Sequence, residues 1–449
     1  MKYFPISESA LSWLSIILSE RFGNRWQLCK NKEQIEMKLF GFDGAIIFPN
    51  LSLSLTEANS NQPYTNWDSS KEGWNPVLGH LLPAPGFNNL IIPLIEKIEN
   101  NYHVKYDILG LTYWMLGRIE EIYRTDLDEH ERFPASSSHA FKYGYIERPI
   151  VDEWMHILGQ VIRRQWPQIK LRKHKYQTVV SCDVDHPFEY SGNKINIIRR
   201  FAGDLIKRKS LIRAFQNLVG ELCVFLGYWK IDSNFRGLDF IMNQCEEKNL
   251  SALFFFITYK TDKNFDVDAG INKNVSELIN LIHQRGHKVG IHPGYNAYKS
   301  SKLIKKSYEL LLKIFHQNGI NQKTIGSRQH YLRWETPKTQ RILQENNISF
   351  DTTLGYADFA GFRCGTCHQY SMFDPVEQKQ MSLKQKPLIA MESSVFDKKY
   401  MNMDQCTGLE YILKIKDFCE KVDGSFVFLW HNTSFIKKND NVLFSQIIG

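Results

Sequence analysis

The chain has 449 residues, 43% of them hydrophobic, with 56 basic against 48 acidic side chains and a formal charge of +8. That composition excludes wholesale disorder, and the charge is too mild at this length to argue for nucleic-acid binding. The length allows two or three domains, each with its own core.

In chain order, the opening "MKYFPISESALSWLSIILSERFGNRW" predicts an amphipathic helix rather than an export signal. Its apolar stretch is broken by Ser15 and flanked by Glu8, Glu20 and Arg21, with no cleavage site after it. "FDGAIIFPN" (42–50) predicts a short strand, and residues 106–124 and 151–166 have apolar residues at helical spacing. Between these helices, Asp126, Asp128, Glu129 and His130 stand in a polar connection, where a solvated loop accounts for them better than a metal does. Residues 1–168 thus form a mixed N-terminal domain of unknown role. The eight cysteines have no disulfide-scaffold spacing, which suits a reducing cytoplasm.

Beyond Tyr176, strands and helices alternate. Apolar runs at 178–182, 251–257, 288–291, 324–326, 387–391 and 426–430 are separated by helical patterns at 237–248, 274–285, 299–317, 336–346 and 407–421. Such alternation predicts an α/β domain over 169–449, with parallel strands and helices outside, as a doubly wound sheet or a barrel. A helical insertion at 194–230, basic then apolar, interrupts it; it is read as a lid or packed subdomain, or as a contact with an anionic membrane surface. No apolar run is long enough to cross a bilayer.

Strand after strand ends on polar groups. "TVVSCDVDHPFEY" (178–190) begins as a buried strand and finishes with Asp183, Asp185 and His186. His292 ends the run at 288–291 and is followed by Pro293, Gly294 and Asn296. Arg328 ends the next, and His431 ends the last. Buried charges cost several kcal/mol unless paired or metal-bound, and parallel strands deliver their C-terminal ends to one rim. The polar groups are therefore expected to share one site.

These residues resemble the motifs of the polysaccharide deacetylase superfamily, related to carbohydrate esterase family four. The motifs stand in order as Asp183-Val184-Asp185, Gly286-His287 to His292-Pro293, Arg328 to Tyr331, Asp351 onward, and Leu429-Trp430-His431. The N-terminal region, with "GRIEEIYRTDLDEHERFP", resembles a domain fused to such deacetylases in bacterial surface-polysaccharide clusters. The resemblance implies a distorted, incomplete (β/α) barrel that removes an N-acetyl group from a carbohydrate with the help of a divalent metal, zinc or similar. It makes Asp183 the general base, with Asp185 and His292 as metal ligands. Arg328 would orient Asp183, and His431 would act as the proton donor. Leu429 would line the acetyl pocket, with Trp430, Tyr331 and Asp351 as further substrate contacts. His287 would have a packing role.

One position departs from the family pattern. Asn296 stands where a second ligating histidine is usual, and an amide oxygen is a poorer zinc ligand than imidazole. Either Asn296 completes a weaker site, or His186 or His330 substitutes, or the metal is lost and the barrel only binds glycans. A rival reading takes Asp183-Val184-Asp185 as the metal–nucleotide motif of a glycosyltransferase, but it leaves His292, Arg328 and His431 without a role. "CGTCH" (364–368) matches a haem-attachment pattern, yet without an export signal its cysteines are read as ordinary loop residues.

Overall fold

A computed structural model of the protein describes residues 2–31, 34–50, 53–190, 211–267, 270–435 and 439–449. Compactness divides the chain into two units that do not follow chain order: residues 1–178 with 331–428, and residues 179–330 with 429–449. The expected boundary at 168 takes no account of the return of 331–428 to the N-terminal part.

In the first unit, five strands lie in the order Trp26–Asn31, Gln34–Leu39, Ile46–Pro49, Asn101–Val104 and Ile95–Ile98. All neighbours are antiparallel except Ile46–Pro49 with Asn101–Val104. The Glu8–Phe22 helix forms as expected, capped by the Ser7 hydroxyl, and buries Leu11, Trp13, Leu14 and Leu18. The Ile150–Gln165 helix matches its apolar spacing, and its Trp154 stacks on Trp67 (5.4 Å) and Tyr106 (4.1 Å). The stretch expected to be helical over 106–124 is helical only at Ile108–Leu116. Arg118 has φ +51° and begins a short 3-10 turn, so the chain bends there.

Hydrogen bonds show why 331–428 belongs here. Trp13 Nε1 donates to the Ser371 carbonyl (2.8 Å), Val151 N to Gly365 O (2.9 Å) and Phe362 N to Ile146 O (2.8 Å). Of the four residues in the acidic loop, Asp126 and Glu129 are exposed and pair with Arg124 and Lys399, while Asp128, paired with Arg132, and His130 are half-buried. The haem-like cysteines, Cys364 and Cys367, are buried.

In the second unit, four parallel strands run in the order Gln177–Val184, Leu253–Phe256, Lys288–Ile291 and Gly326–Ser327. Helices Leu211–Phe225, Ser233–Glu247, Lys273–Gln284 and Ser301–Gln317 fill the intervals. The strand–helix alternation therefore matches the expected α/β class. The basic half of the 194–230 insertion lies outside the described residues. Its apolar half exposes Phe215, Leu226 and Tyr228. No described helix is long and apolar enough to cross a membrane.

Candidate active site

Register explains how distant residues arrive together. Val184 pairs with Phe256, Phe256 with Ile291, and Ile291 with Ser327. Asp185, His292 and Arg328 are each the next residue along, so three polar groups, with Ile257 between the first two, leave the sheet at one level. The ladder continues into them: His292 N donates to Phe256 O (2.8 Å) and Arg328 N to Ile291 O (3.1 Å). Asp183 precedes Asp185 by two residues and shares its face, since strand side chains alternate. Trp430 N donates to Ser181 O (3.0 Å), which brings the following His431 to the same end.

Asp185 is the centre of the cluster. His292 Nε2 lies 3.2 Å and His330 Nε2 3.6 Å from its Oδ1, and His431 Nε2 lies 3.9 Å from its Oδ2. Burial alone would raise the Asp185 carboxyl, but His330, His292 and His431 together hold it well below the usual carboxylate range. Asp183 is buried beside it, with Arg328 Nη1 3.5 Å from one oxygen and His292 Nε2 3.8 Å from the other. Burial would lower the His292 imidazole; the Asp183 and Asp185 charges outweigh this and raise it.

The outer shell fixes the two inner imidazoles. His292 Nδ1 meets the Arg328 carbonyl at 2.5 Å, and His330 Nδ1 meets Asp266 Oδ1 at 2.8 Å, leaving both Nε2 atoms aimed at Asp185. Asp266 is fully buried and accepts further from the Thr261, Asp262 and Tyr295 backbone N–H groups. Burial opposes its charge, yet His330 and these donors keep its carboxyl far below normal. Gly294 makes room for it, because a Cβ there would lie 2.5 Å from Asp266 Oδ2. The loop carrying Asp185 is anchored through the His186 carbonyl, which accepts from Asn432 Nδ2 (3.0 Å) and Asn234 Nδ2 (3.2 Å). Asp266, Asn234 and Asn432 were not singled out by sequence. Only Asn432, next to His431, carried any signal.

The donor set fits a divalent cation. Asp185, His292 and His330 each offer a ligand atom, all within 4.8 Å of one another. Asp185 Oδ1 is buried and has no well-formed hydrogen bond among the described residues. A buried carboxylate oxygen left in that state costs about 1–3 kcal/mol or more. One carboxylate and two imidazoles form a donor set that suits zinc and its neighbours.

The other residues expected at the site have partners of their own. Asn296 is exposed, and its amide donates to Thr261 O (3.2 Å) and Asp262 Oδ2 (3.3 Å), while His330 stands at Asp185. Tyr331 and Asp351 belong to the first unit. Tyr331 packs on His130 (4.7 Å), and fully buried Asp351 takes the Thr353 N–H (2.7 Å) and hydroxyl (2.8 Å), an Asx-type turn. Trp430 is buried against Phe435 and Phe444, each ring centroid 5.6 Å away, so its ring is a packing element; Leu429 is also buried. His287 is buried and accepts from Ala252 N (3.1 Å), the expected packing role.

Residues 6–167 match a family of unknown function (DUF7033), about a third of the chain. No curated protein matches. Among solved structures, the chain is similar to a probable polysaccharide deacetylase from Pseudomonas aeruginosa PAO1, with 13% identity and TM-score 0.35, covering 61% of this chain and 83% of that one. It is also similar to Puue allantoinase (13%, TM-score 0.35, 61% and 82% covered) and to the polysaccharide deacetylase Bc1974 from Bacillus cereus (13%, TM-score 0.29, 62% and 86% covered).

Proposed function

We propose that the second unit is a metal-dependent hydrolase that removes an N-acetyl group from a carbohydrate. The observation that carries this is the convergence on Asp185 Oδ1, a buried oxygen without a well-formed hydrogen bond, of two imidazoles whose far nitrogens are fixed. Asp185, His292 and His330 would hold the cation. A divalent cation bound there supplies an acidified water and polarises a carbonyl. Asp183, held by Arg328, takes the proton of the attacking water. His431 gives a proton to the departing amine. Water adds to the carbonyl carbon, the C–N bond breaks, and acetate and a free amino sugar result. We read the substrate as a bacterial surface-glycan precursor handled in the cytoplasm, with 1–168 as an accessory domain; the motif resemblance is the support for both.

The glycan-binding alternative drew its force from Asn296; His330 beside Asp185 supplies a second imidazole in its place, which supports the enzyme reading. The glycosyltransferase alternative assigns no role to His292, His330 or Arg328. The test is acetate release from N-acetylglucosamine oligomers by the full chain, after chelation and after adding back Zn²⁺, Co²⁺ or Ni²⁺. Release should vanish on chelation and return with metal. Sugar binding without release under every metal would instead support the binding module, and hydrolysis or transfer of a UDP-sugar would support the glycosyltransferase.

A further inference from the structure

The first unit contains a cavity of about 590 Å³ whose lining includes no residue of the Asp185 cluster. That volume is in the range of small-molecule sites. Its apolar side comes from Ile17, Val151 and Met155, and its polar side from Arg21 and the Arg172-Lys173-His174-Lys175 run.

Three carboxylates also face it, and two are already committed. Asp152 Oδ1 takes the Thr366 hydroxyl (2.7 Å) and Arg21 Nη2 (3.1 Å), while Oδ2 takes the Cys367 N–H (2.9 Å). Glu20 is held by Lys384 (2.6 Å) and the Ser371 hydroxyl (2.5 Å). Only Asp423, on the exposed rim, lacks such a partner among the described residues. The cations are less fully used. Arg172 gives one nitrogen to the Glu20 carbonyl (3.0 Å), and Lys173 and Lys175 make no ion pair among the described residues. Arg21 Nη1 is buried with no acceptor among the described residues. A buried guanidinium N–H in that state costs roughly 1–3 kcal/mol, which an anion would relieve.

Two imidazoles complete the wall. His174 and His368 meet edge-on at 4.9 Å, and each directs Nε2 to a backbone carbonyl, Arg21 O (2.8 Å) and Val422 O (2.9 Å). Burial lowers both and keeps them neutral, so Nε2 carries the proton and Nδ1 is an acceptor suited to a hydroxyl. Asp152, Cys367 and His368 are close enough to hold a metal. Asp152 already accepts from four donors, however, the Cys367 thiol (3.4 Å) among them, and burial pushes that thiol well up, so an anion is favoured over a cation.

We propose that this cavity binds a small anionic polyol, a sugar phosphate or a sugar acid, with the anion on Arg21 and the Arg172–Lys175 cations and hydroxyls on the two imidazoles. Calorimetric titration of the full chain, in chelator so that the second unit's cluster holds no metal, would use glucose 6-phosphate, glucuronate and glucose. One or both anions should bind saturably and glucose should not. The paired change K173Q with K175Q, both at exposed positions, should weaken binding by about tenfold or more, and R21Q should weaken it further. The proposal is overturned if neither anion binds, if glucose binds as tightly, or if the lysine pair can be replaced without loss.

Discussion

Two carboxylates with a buried oxygen, one in each unit, look alike in composition and differ in what surrounds them. In the first unit, Glu121 lies between Arg118 and Arg363. Its Oε1 receives Arg118 Nε (3.0 Å) and Nη2 (2.7 Å) and Arg363 Nε (2.8 Å), and its Oε2 receives Arg363 Nη2 (2.8 Å). The remaining guanidinium nitrogens reach the Met115 and Gly355 carbonyls, at 3.0 and 2.8 Å. In the second unit, Asp185 has imidazole partners at 3.2–3.9 Å, and one of its oxygens lacks a well-formed hydrogen bond. The first arrangement closes on itself and holds the fold. The second stays open, with a carboxylate oxygen and two imidazole nitrogens turned towards one another as a donor set for a cation. Burial of charge alone does not mark a functional site; incomplete satisfaction of that charge does.

The largest effects should come from breaking the open cluster. Asp183→Asn should lower acetate release by about two to four orders of magnitude while leaving bound metal near the wild-type level, measured by elemental analysis alongside turnover. His330→Ala should remove metal and activity together. Full activity in Asp183→Asn would refute its role as base, and undiminished metal in His330→Ala would refute the ligand set.

Breaking the closed cluster should cost stability instead. Burial would raise Glu121, but Arg118 and Arg363 lower its carboxyl to about 2 from the ordinary 4.5. A depressed carboxylate contributes fully above its unfolded value and loses that contribution as pH falls through the folded one. Glu121→Gln should therefore destabilise the protein by about 3 kcal/mol at pH 7, leaving two buried guanidinium groups short of an anion. The gap from wild type should narrow as pH falls from about 4.5 towards 2, as read from denaturant midpoints at each pH. A gap that stays constant with pH would mean Glu121 is not the titrating group.

Much of the open site was legible in the sequence because each of its strands is a short apolar run that stops on a polar residue. Asp183, Asp185, His292, Arg328 and His431 follow that rule, and parallel register does the rest. Asp266 followed no rule: it sits in a loop with no periodicity, and its role appears only when the loop folds against Gly294 and His330. The partnership of Arg118, Glu121 and Arg363 was equally hidden, since it spans 242 positions and depends on residues 331–428 returning to the first unit. The hairpin of Trp26–Asn31 with Gln34–Leu39 does have a period-two signal in Ile35, Met37 and Leu39. Intervening Glu36 and Lys38, both good helix formers, obscure it.

The smallest expected effect sharpens the comparison at the position where the sequence departs from its resemblance. Asn296 lies two residues beyond Gly294, on the same turn that shelters Asp266, but its carboxamide faces outward to Thr261 and Asp262. Its backbone N–H, which donates to the Thr261 hydroxyl at 2.9 Å, survives any side-chain change. Asn296→Ala should therefore cost about 0.5 kcal/mol or less, the usual range for an exposed position. Metal content and turnover should stay within about twofold, because the electrostatic balance around Asp185 is set by imidazoles this substitution does not touch. If Asn296→Ala instead strips the metal while His330→Ala retains it, the cation is held by the amide, and the cluster around Asp185 is a closed structural network of the Glu121 kind.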